Sequence, residues 1–317
     1  MPTLRERAYF SYLQRSKLPI LVGPWRSEIG FESLYWLPWL NWVRKAYQLP
    51  KERLIAITRG GAGAWYDMGQ SVDLYDYVPM ANVRKAMLKD AKQHASIKQY
   101  RITDWERKLI PLIAEDLGLR RYHVLHPRWM YRGLQPYWDG KQTAETVLAP
   151  LHFDAPPVPH LPLTLQLPED FVAVRFYVRS TLQFTEENQQ FVHTIIQQLT
   201  RKVPVVVLET PYHTDDHLDF PIEASDKVIK LTDHYTPTNN LGLQSAVIAK
   251  SKAFVGTYGG TMQLAVRLKK PSMGFYRSFE GTAYAHKDLT LRLATLQGTP
   301  CFIGTPSEAQ LVHEVVA

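Results

Sequence analysis

Short apolar stretches alternate with helical stretches along this 317-residue chain, and this alternation constrains the fold more than any other feature. An apolar run at 171–178 precedes a helical pattern at 186–201, and the uninterrupted run 203–209 is typical of a strand buried on both faces. Alternation of this kind predicts a parallel sheet with crossover helices, which is a Rossmann-like domain. The further segments predicted here are strands at 226–231, 251–257 and 271–276 and helices at 239–250 and 260–269.

The first half of the chain repeats this rhythm less regularly. Its helix at 31–47 is apolar nearly all round, which favours burial over contact with lipid, and we expect Pro38 to kink it. The other predicted segments are strands at 18–23, 53–58, 72–78 and 121–126 and basic helices at about 80–98 and 104–117.

A proline-rich connector separates the two halves. Six prolines lie between 150 and 168, where they remove hydrogen-bond donors and favour extended chain. We therefore expect an α/β protein with two Rossmann-like domains, residues 1–155 and 165–317, that face a central cleft.

Charge is unevenly divided between these halves. The chain has a formal net charge of +7, and in residues 1–160 Lys and Arg outnumber Asp and Glu by 23 to 15. All eight tryptophans also lie in this half, and because tryptophan faces stack on sugar rings we expect them to contact a saccharide. This composition favours an anionic partner, such as a phosphorylated lipid or an acidic saccharide, although a solvated basic surface explains it equally well. The basic segment Arg84–Lys98 is the candidate for contact with an anionic membrane, and a solvated helix face is the alternative.

Several classes of protein are disfavoured. A single cysteine, Cys301, excludes an intrachain disulfide and indicates a reducing compartment. The amino terminus lacks the apolar core of a secretory signal, and no uncharged apolar stretch is long enough to span a membrane. We therefore expect a cytoplasmic protein, at most peripheral to the inner face of the membrane. With no RNA-recognition motif or basic tail, nucleic acid is not an expected partner.

The first candidate site is the segment GPWRSEIGFE at 23–32. It joins a predicted strand to a predicted helix, a position that faces the ligand crevice in open parallel sheets. Glu28 and Arg26 are both candidates for catalysis or substrate contact, Glu28 through its carboxylate and Arg26 by orienting the acceptor or a phosphate. The structural alternative is that Ser27 caps the helix and that Glu28 is only a first-turn carboxylate.

The second candidate is FVGTYGGTMQLA at 254–265. Gly259 and Gly260 follow a strand and open a helix, where glycine lets a phosphate approach backbone N–H groups. Thr257 and Thr261 add hydroxyls, and Tyr258 lies between them. The segment matches neither the dinucleotide fingerprint nor the P-loop, and close packing of strand and helix is the structural alternative.

Two arginines lie within or directly after the predicted strand at 171–178. Arg179 lies at its carboxyl end and suits diphosphate oxygens, whereas Arg175 fits a diphosphate contact and a structural ion pair equally well. After the later strands, Asp233 or His234 is placed to contact a ribose or sugar hydroxyl, and Asn240 to do the same or cap a helix.

The loop 210–221 carries side chains that bind metals in other proteins. They are Asp215, Asp216, His217 and Asp219. An acidic loop of this kind is more often solvated, and we expect no metal site.

Three segments together resemble bacterial GT-B glycosyltransferases that build surface polysaccharides and glycolipids. They are GPWRSEIGFESLYWLPWL, FVAVRFYVRS and AKSKAFVGTYGGTMQLAVRLKKPSMGFY. The resemblance implies a metal-independent transferase without a cofactor, whose carboxyl-terminal domain holds the diphosphate of a nucleotide-sugar donor. A saccharide or lipid-linked saccharide acceptor would bind the amino-terminal domain, with Glu28 as general base. The Glu-x7-Glu pair of one large retaining group is not evident, so the stereochemical outcome stays open.

Two other classes of function fit the same residues. One is another enzyme on this frame, such as a nucleotide-sugar epimerase or a polysaccharide pyruvyltransferase. The other is a non-catalytic basic module that holds nucleic acid or an envelope polymer.

Overall fold

The computed structural model describes residues 3–94, 98–212, 218–278 and 283–316. The chain forms two units, of which unit 1 comprises 1–157 and 237–241 and unit 2 comprises 158–236 and 242–317. Both units are α/β with a parallel sheet, in agreement with the predicted fold class. Within the described residues, no helix has both the length and the apolar character needed to cross a bilayer.

Unit 1 is built on a four-stranded parallel sheet in the order β3-β2-β1-β4. The strands are β1 (Ile20–Val22), β2 (Leu54–Thr58), β3 (Gln70–Asp73) and β4 (His123–Leu125). The helices are α1 (Leu4–Arg15), α2 (Ile29–Phe31), α3 (Leu37–Ala46), α4 (Leu74–Tyr77), α5 (Met80–His94), α6 (Asp104–Asp116), α7 (Arg128–Trp138) and α8 (Ala144–Leu148).

Helices α2 and α3 form one apolar rod joined by a π-helical turn at Glu32–Trp36. Leu37 N–H donates to the Glu32 carbonyl, five residues back, immediately before Pro38. The wider turn lies where Pro38 removes a backbone donor from the α-helical pattern, so the predicted kink takes the form of a π turn. Burial of this segment, which its composition favoured, is confirmed.

Two expectations for unit 1 are wrong. The predicted strand at 72–78 is β3 followed by α4, because the Asp73 side chain accepts a hydrogen bond from the Tyr75 N–H and caps a helix. Most of the tryptophans are buried in the core and are therefore not available to stack on a sugar ring. The six buried ones are Trp25, Trp36, Trp39, Trp65, Trp129 and Trp138.

Unit 2 contains a six-stranded parallel sheet in the order β10-β9-β8-β5-β6-β7. The strands are β5 (Val172–Arg175), β6 (Val205–Val207), β7 (Val228–Lys230), β8 (Ala253–Thr257), β9 (Ser272–Phe275) and β10 (Cys301–Gly304). The helices are α9 (Glu186–Thr200), α10 (Asn240–Lys250), α11 (Gly260–Arg267), α12 (Ala283–Gln297) and α13 (Val312–Val316).

The core of unit 2 follows from the apolar runs in its central strands. Val174, Val207 and Val255 are buried and pack with Ile195 of α9 and Val312 of α13. Numbered from β5, the strand order is that of the doubly wound dinucleotide-binding fold, and its direction reverses between β5 and β8. In unit 1 the corresponding reversal lies between β1 and β4. These two reversal points are where each sheet opens a crevice for ligands.

Candidate functional site

At the reversal point of unit 2, the carboxyl ends of β5 and β8 lie side by side. Arg175 on β5 pairs with Gly256 on β8, and the strands approach so closely that a Cβ on Gly256 would lie 2.0 Å from the Arg175 carbonyl oxygen. The sheet therefore brings together two segments that are far apart in sequence. Both were predicted to bind a diphosphate.

Arg175 is 7% exposed and forms a structural ion pair. Its Nε donates to Asp219 Oδ1 at 3.0 Å, and its Nη1 donates to Gln244 Oε1 at 3.0 Å. The guanidinium lies 5.5 Å from the Tyr177 ring centroid. The structural alternative for Arg175 is thus realised, and its carboxylate partner neutralises much of the charge that a phosphate would need.

The glycine turn follows β8. A Cβ on Gly259 would lie 1.9 Å from the Tyr177 hydroxyl oxygen, so no other residue fits there without movement. Helix α11 begins at Gly260, and the Gly259 carbonyl accepts from the Gln263 N–H at 2.9 Å. The first N–H groups of such a helix have no acceptor within the helix itself, and the helix dipole makes this end attractive to anions.

Three side chains near this turn differ from the expectation. The Thr257 hydroxyl is fully buried, donates to the Tyr177 carbonyl and accepts from the Tyr177 N–H, both at 2.9 Å. It therefore fastens β8 to the segment after β5 and is not a phosphate donor. Tyr258 is 5% exposed, its hydroxyl lies 3.4 Å from Gln263 Nε2, and its backbone N–H donates to the Phe275 carbonyl at 2.9 Å, so its role here is structural. Thr261 is buried and lies 3.5 Å from Arg175 Nη1.

Other predicted contacts follow the ends of β5 and β7. Arg179 is half-buried on a tight turn in which its N–H donates to the Leu182 carbonyl at 3.0 Å. Asp233 and His234 occupy the 3₁₀ turn Thr232–His234 directly after β7, with Asp233 exposed. Asn240 is the first residue of α10, so a helix does begin there, and its side chain is buried.

Sequence reasoning missed Arg277, which follows β9 at the same edge of the sheet. Its N–H donates to the Thr181 carbonyl at 2.6 Å, and its guanidinium binds Asn188 and pairs with Glu187. A cation directly after the strand 271–276 was the available signal. These contacts tie the Arg179–Leu182 turn to α9.

At the reversal point of unit 1, the loop Gly23–Glu28 leaves β1. Gly23 has a φ of 116°, and a Cβ there would lie 2.7 Å from the Ile57 carbonyl oxygen, so glycine is required. The backbone N–H of Trp25 donates to the same carbonyl at 3.0 Å, and the Trp25 ring stacks on Trp36. Glu28 is half-buried at the position that precedes α2, so this helix begins one residue later than a Ser27 cap would require. The Ser27 hydroxyl instead accepts from Tyr131.

The environment of Arg26 does not fit its predicted role in catalysis or substrate contact. It is 1% exposed, and its guanidinium pairs with Glu106 at 3.0 Å and with Asp90 at 2.6 Å. Burial raises the pKa of Glu106, but hydrogen bonding from His126, the Arg26 charge and the Thr103 N–H outweigh it and lower that pKa to about 2. Arg26 therefore holds the loop in place, because buried charges persist only when they are paired.

Lys98, which the sequence analysis named only as the end of the candidate membrane segment Arg84–Lys98, is a candidate for the site itself. Its ammonium lies 4.5 Å from the Phe31 ring centroid and 5.5 Å from that of Trp138. Burial lowers the pKa of Lys98, while the nearby Glu28 carboxylate opposes that change. The two groups thus form an electrostatically coupled pair beside α2. They lie far apart in sequence, and no local pattern signals their proximity.

The described residues contain no group of three or more His, Cys, Asp or Glu arranged to hold a metal ion. Of the acidic loop, Asp215, Asp216 and His217 lie outside the described residues. Asp219 pairs with Arg175 and accepts from the Thr210 N–H at 3.0 Å.

No protein-family model and no curated protein matches this chain. Among solved structures, it is similar to an E. coli ADP-heptose heptosyltransferase II, at 12% identity and a TM-score of 0.46 over 82% of this chain and 85% of that one. An E. coli heptosyltransferase solved with ADP has 13% identity and a TM-score of 0.44 over 95% and 100%. A family 9 glycosyl transferase from Veillonella parvula has 9% identity and a TM-score of 0.46 over 95% and 89%.

Proposed function

We propose that this chain is a glycosyltransferase that moves a sugar from a nucleotide-sugar donor to a saccharide or lipid-linked saccharide acceptor, without a metal ion. The observation that carries the proposal is that two sets of candidate groups lie at the points where the strand orders reverse. The glycine turn lies where the strand order of unit 2 reverses, and Glu28 lies where that of unit 1 reverses. Ligands of open parallel sheets bind at such points.

The donor end of the reaction belongs to unit 2 in this proposal. The diphosphate leaving group binds the backbone N–H groups at Gly259, Gly260 and Thr261, where the dipole of α11 stabilises negative charge. Arg179 supplies a positive charge from the turn after β5. Arg175 acts through Asp219, Gln244 and the Tyr177 ring to keep this end of the sheet rigid. Asp233, His234 and Asn240 remain proposed contacts of the base or sugar.

The acceptor end belongs to unit 1. Glu28, as its carboxylate, removes the proton from the acceptor hydroxyl while that oxygen forms its bond to the anomeric carbon of the donor. The bond from this carbon to the diphosphate oxygen breaks, and the nucleoside diphosphate keeps the electron pair. Lys98 lies close enough for its charge to interact with the Glu28 carboxylate and is a candidate for orienting it. Arg26 is a positioning residue that holds the Gly23–Glu28 loop.

Replacement of the proposed base tests the chemical step. Glu28→Gln is expected to lower turnover by at least about 100-fold, the usual contribution of a general base, with nucleotide affinity unchanged. Sugar transfer is measured by mass spectrometry of the product over a panel of nucleotide sugars and acceptors. Glu52→Gln, a change of the same kind at the foot of β2, serves as the control. Wild-type turnover in Glu28→Gln would exclude this carboxylate as the base.

Replacement of the proposed diphosphate ligand tests the binding step. Arg179→Ala is expected to weaken binding of a nucleoside diphosphate by about tenfold, since a charge-assisted hydrogen bond at a half-buried site contributes somewhat more than about 1 kcal/mol. Calorimetry with ADP, UDP, GDP, dTDP and CMP identifies the base and measures the loss. An unchanged dissociation constant removes Arg179 from the site. Activity that EDTA abolishes would contradict the metal-independent reaction.

A cytoplasmic location, with contact at the anionic inner face of the membrane, is also part of the proposal. The basic residues of α5 support it, and flotation with phosphatidylglycerol vesicles against neutral ones tests it. Product analysis separates sugar transfer from epimerisation and from pyruvyl transfer. Steeply salt-dependent binding of nucleic acid, without a preference for nucleoside diphosphates, would favour a binding module instead.

A further inference from the structure

A cavity of about 800 Å³ lies in unit 1 between α5, α6 and the segment before α6. This volume is within the range of sites for small molecules. All its lining residues are described and belong to unit 1, so the cavity is distinct from the diphosphate site of unit 2. We call it the α5–α6 groove.

The lining of the α5–α6 groove is strongly basic. Five of its side chains are cations and only two are carboxylates, and both carboxylates are engaged in ion pairs. Asp90 pairs with the buried Arg26 at 2.6 Å, and Asp104 lies 3.7 Å from Arg107 on the next turn of α6. Within the described part of the chain, the other four cations have no ion-pair partner. These cations are Lys85, Lys89, Arg101 and Lys108.

The four cations come from three segments that converge on one cavity. Lys85 and Lys89 are four residues apart and lie on the same face of α5. Arg101 precedes α6, and Lys108 lies in its second turn. Like charges brought together in this way repel one another, and the repulsion is relieved when an anion binds among them.

The α5–α6 groove is also mechanically connected to the loop that carries the proposed base. Arg26 reaches Asp90 on α5 and Glu106 on α6, so one guanidinium of the Gly23–Glu28 loop fastens both walls. A ligand in the groove would therefore lie against the two helices that hold the Gly23–Glu28 loop in place.

We propose that the α5–α6 groove binds the phosphate groups of a phosphorylated sugar, as part of the acceptor. Four cations match two or more phosphate monoesters, and the partly exposed Trp105 in the lining offers an aromatic surface to a sugar ring. The concave shape favours a compact anionic head group over the flat surface of a bilayer. That the ligand is the acceptor rests on the proposed transferase function, whereas the binding itself does not.

Binding of myo-inositol hexakisphosphate, a ring with several phosphate monoesters, tests the proposal by calorimetry. We expect saturable binding to the wild-type protein, weakened at least about tenfold in Lys85→Glu/Lys89→Glu and falling as salt rises. The control Arg120→Glu/Arg121→Glu changes the same charge at two exposed positions beyond the far end of α6 and should leave this affinity within about twofold. Binding of nucleoside diphosphate to unit 2 should be unchanged in both variants.

The outcomes separate the alternatives. Equal losses in the two double variants would show attraction to net charge alone and would overturn the proposal. Binding to vesicles of phosphatidylcholine with phosphatidic acid, but not to the soluble ring phosphate, would overturn it in favour of a membrane surface. If the groove variant loses ring-phosphate binding while no sugar transfer is found in any assay, the binding site stands and the transferase function fails.

Discussion

The conformation of the glycine turn is tested most directly at Gly259, because a single methyl group added there would contact the Tyr177 hydroxyl. In Gly259→Ala the new Cβ would lie 1.9 Å from that oxygen, whereas real Cβ contacts stay beyond 3.0 Å, so the ring or the turn must move by at least about 1.1 Å. Tyr177 is 4% exposed and packs against Arg175, which leaves the ring little room. Overpacking at such a site costs about 1–3 kcal/mol of unfolding free energy.

A second substitution isolates the contact. Tyr177→Phe removes the hydroxyl, and the nearest remaining ring atom, Cζ, is 3.1 Å from the position of the added methyl carbon, so a shift of only a few tenths of an ångström relieves the contact. We expect the double variant Gly259→Ala/Tyr177→Phe to be more stable than the sum of the single losses predicts, by about 1 kcal/mol or more. The part of the loss that comes from the backbone of the turn is not restored.

Urea denaturation measures the four unfolding free energies, and calorimetry with a nucleoside diphosphate measures binding in parallel. Gly298→Ala, at a turn where a Cβ has no neighbour within 4 Å, serves as the control and should combine additively with Tyr177→Phe. Additive losses for Gly259→Ala and Tyr177→Phe would refute the close approach of turn and hydroxyl. Wild-type nucleotide affinity in a folded Gly259→Ala protein would separately remove this turn from the diphosphate site.

Two further predictions concern carboxylates that are largely shielded from solvent. Arg175→Met should lower the unfolding free energy by about 3–5 kcal/mol, because it leaves Asp219 shielded from solvent without its cation. Adding Asp219→Asn should restore part of that loss, as measured by urea denaturation. A larger loss in the double variant would contradict the ion pair. Burial raises the pKa of Asp73 from 3.8 to about 6, against the hydrogen bond from the Gly61 N–H. This contribution to stability is fully present below pH 3.8 and is lost as pH rises through 6, so the unfolding free energy should fall by up to about 3 kcal/mol over that range relative to Asp73→Asn. Parallel pH profiles of the two proteins would show that Asp73 titrates normally.

Much of the fold could be predicted because it depends on local patterns. The predicted strands at 18–23, 53–58, 203–209 and 251–257 are present, since continuous apolar runs of this length are stable only inside a sheet. Helix α1 and helix α7 were not predicted. The buried face of α1 includes Glu6, so its apolar period is weak. Helix α7 has a clear apolar face, but Gly133 and Pro136 within it disfavour a helix on local propensity, and packing in unit 1 overrides them.

The candidate site was predictable in position but less so in role. Residues after strand ends were identified correctly as neighbours of the sheet edge, because parallel strands end on one side. The roles of Arg26, Arg175 and Thr257 depended on partners that lie 44 to 80 residues away, at Glu106, Asp219 and Tyr177. No local pattern carries that information.

The amino-acid sequence by itself determined that the chain forms parallel sheets in two α/β regions, because the period of apolar residues is a local property that burial turns directly into strands and helices. Only the tertiary structure decided which cationic side chains form ion pairs with carboxylates and which do not. Arg26 and Arg175 are neutralised by carboxylates that folding brings to them, while Lys85, Lys89, Arg101 and Lys108 converge without such a partner among the described residues. The physical reason is that the effect of a charged side chain depends on the groups within a few ångströms of it, and the fold determines which groups those are.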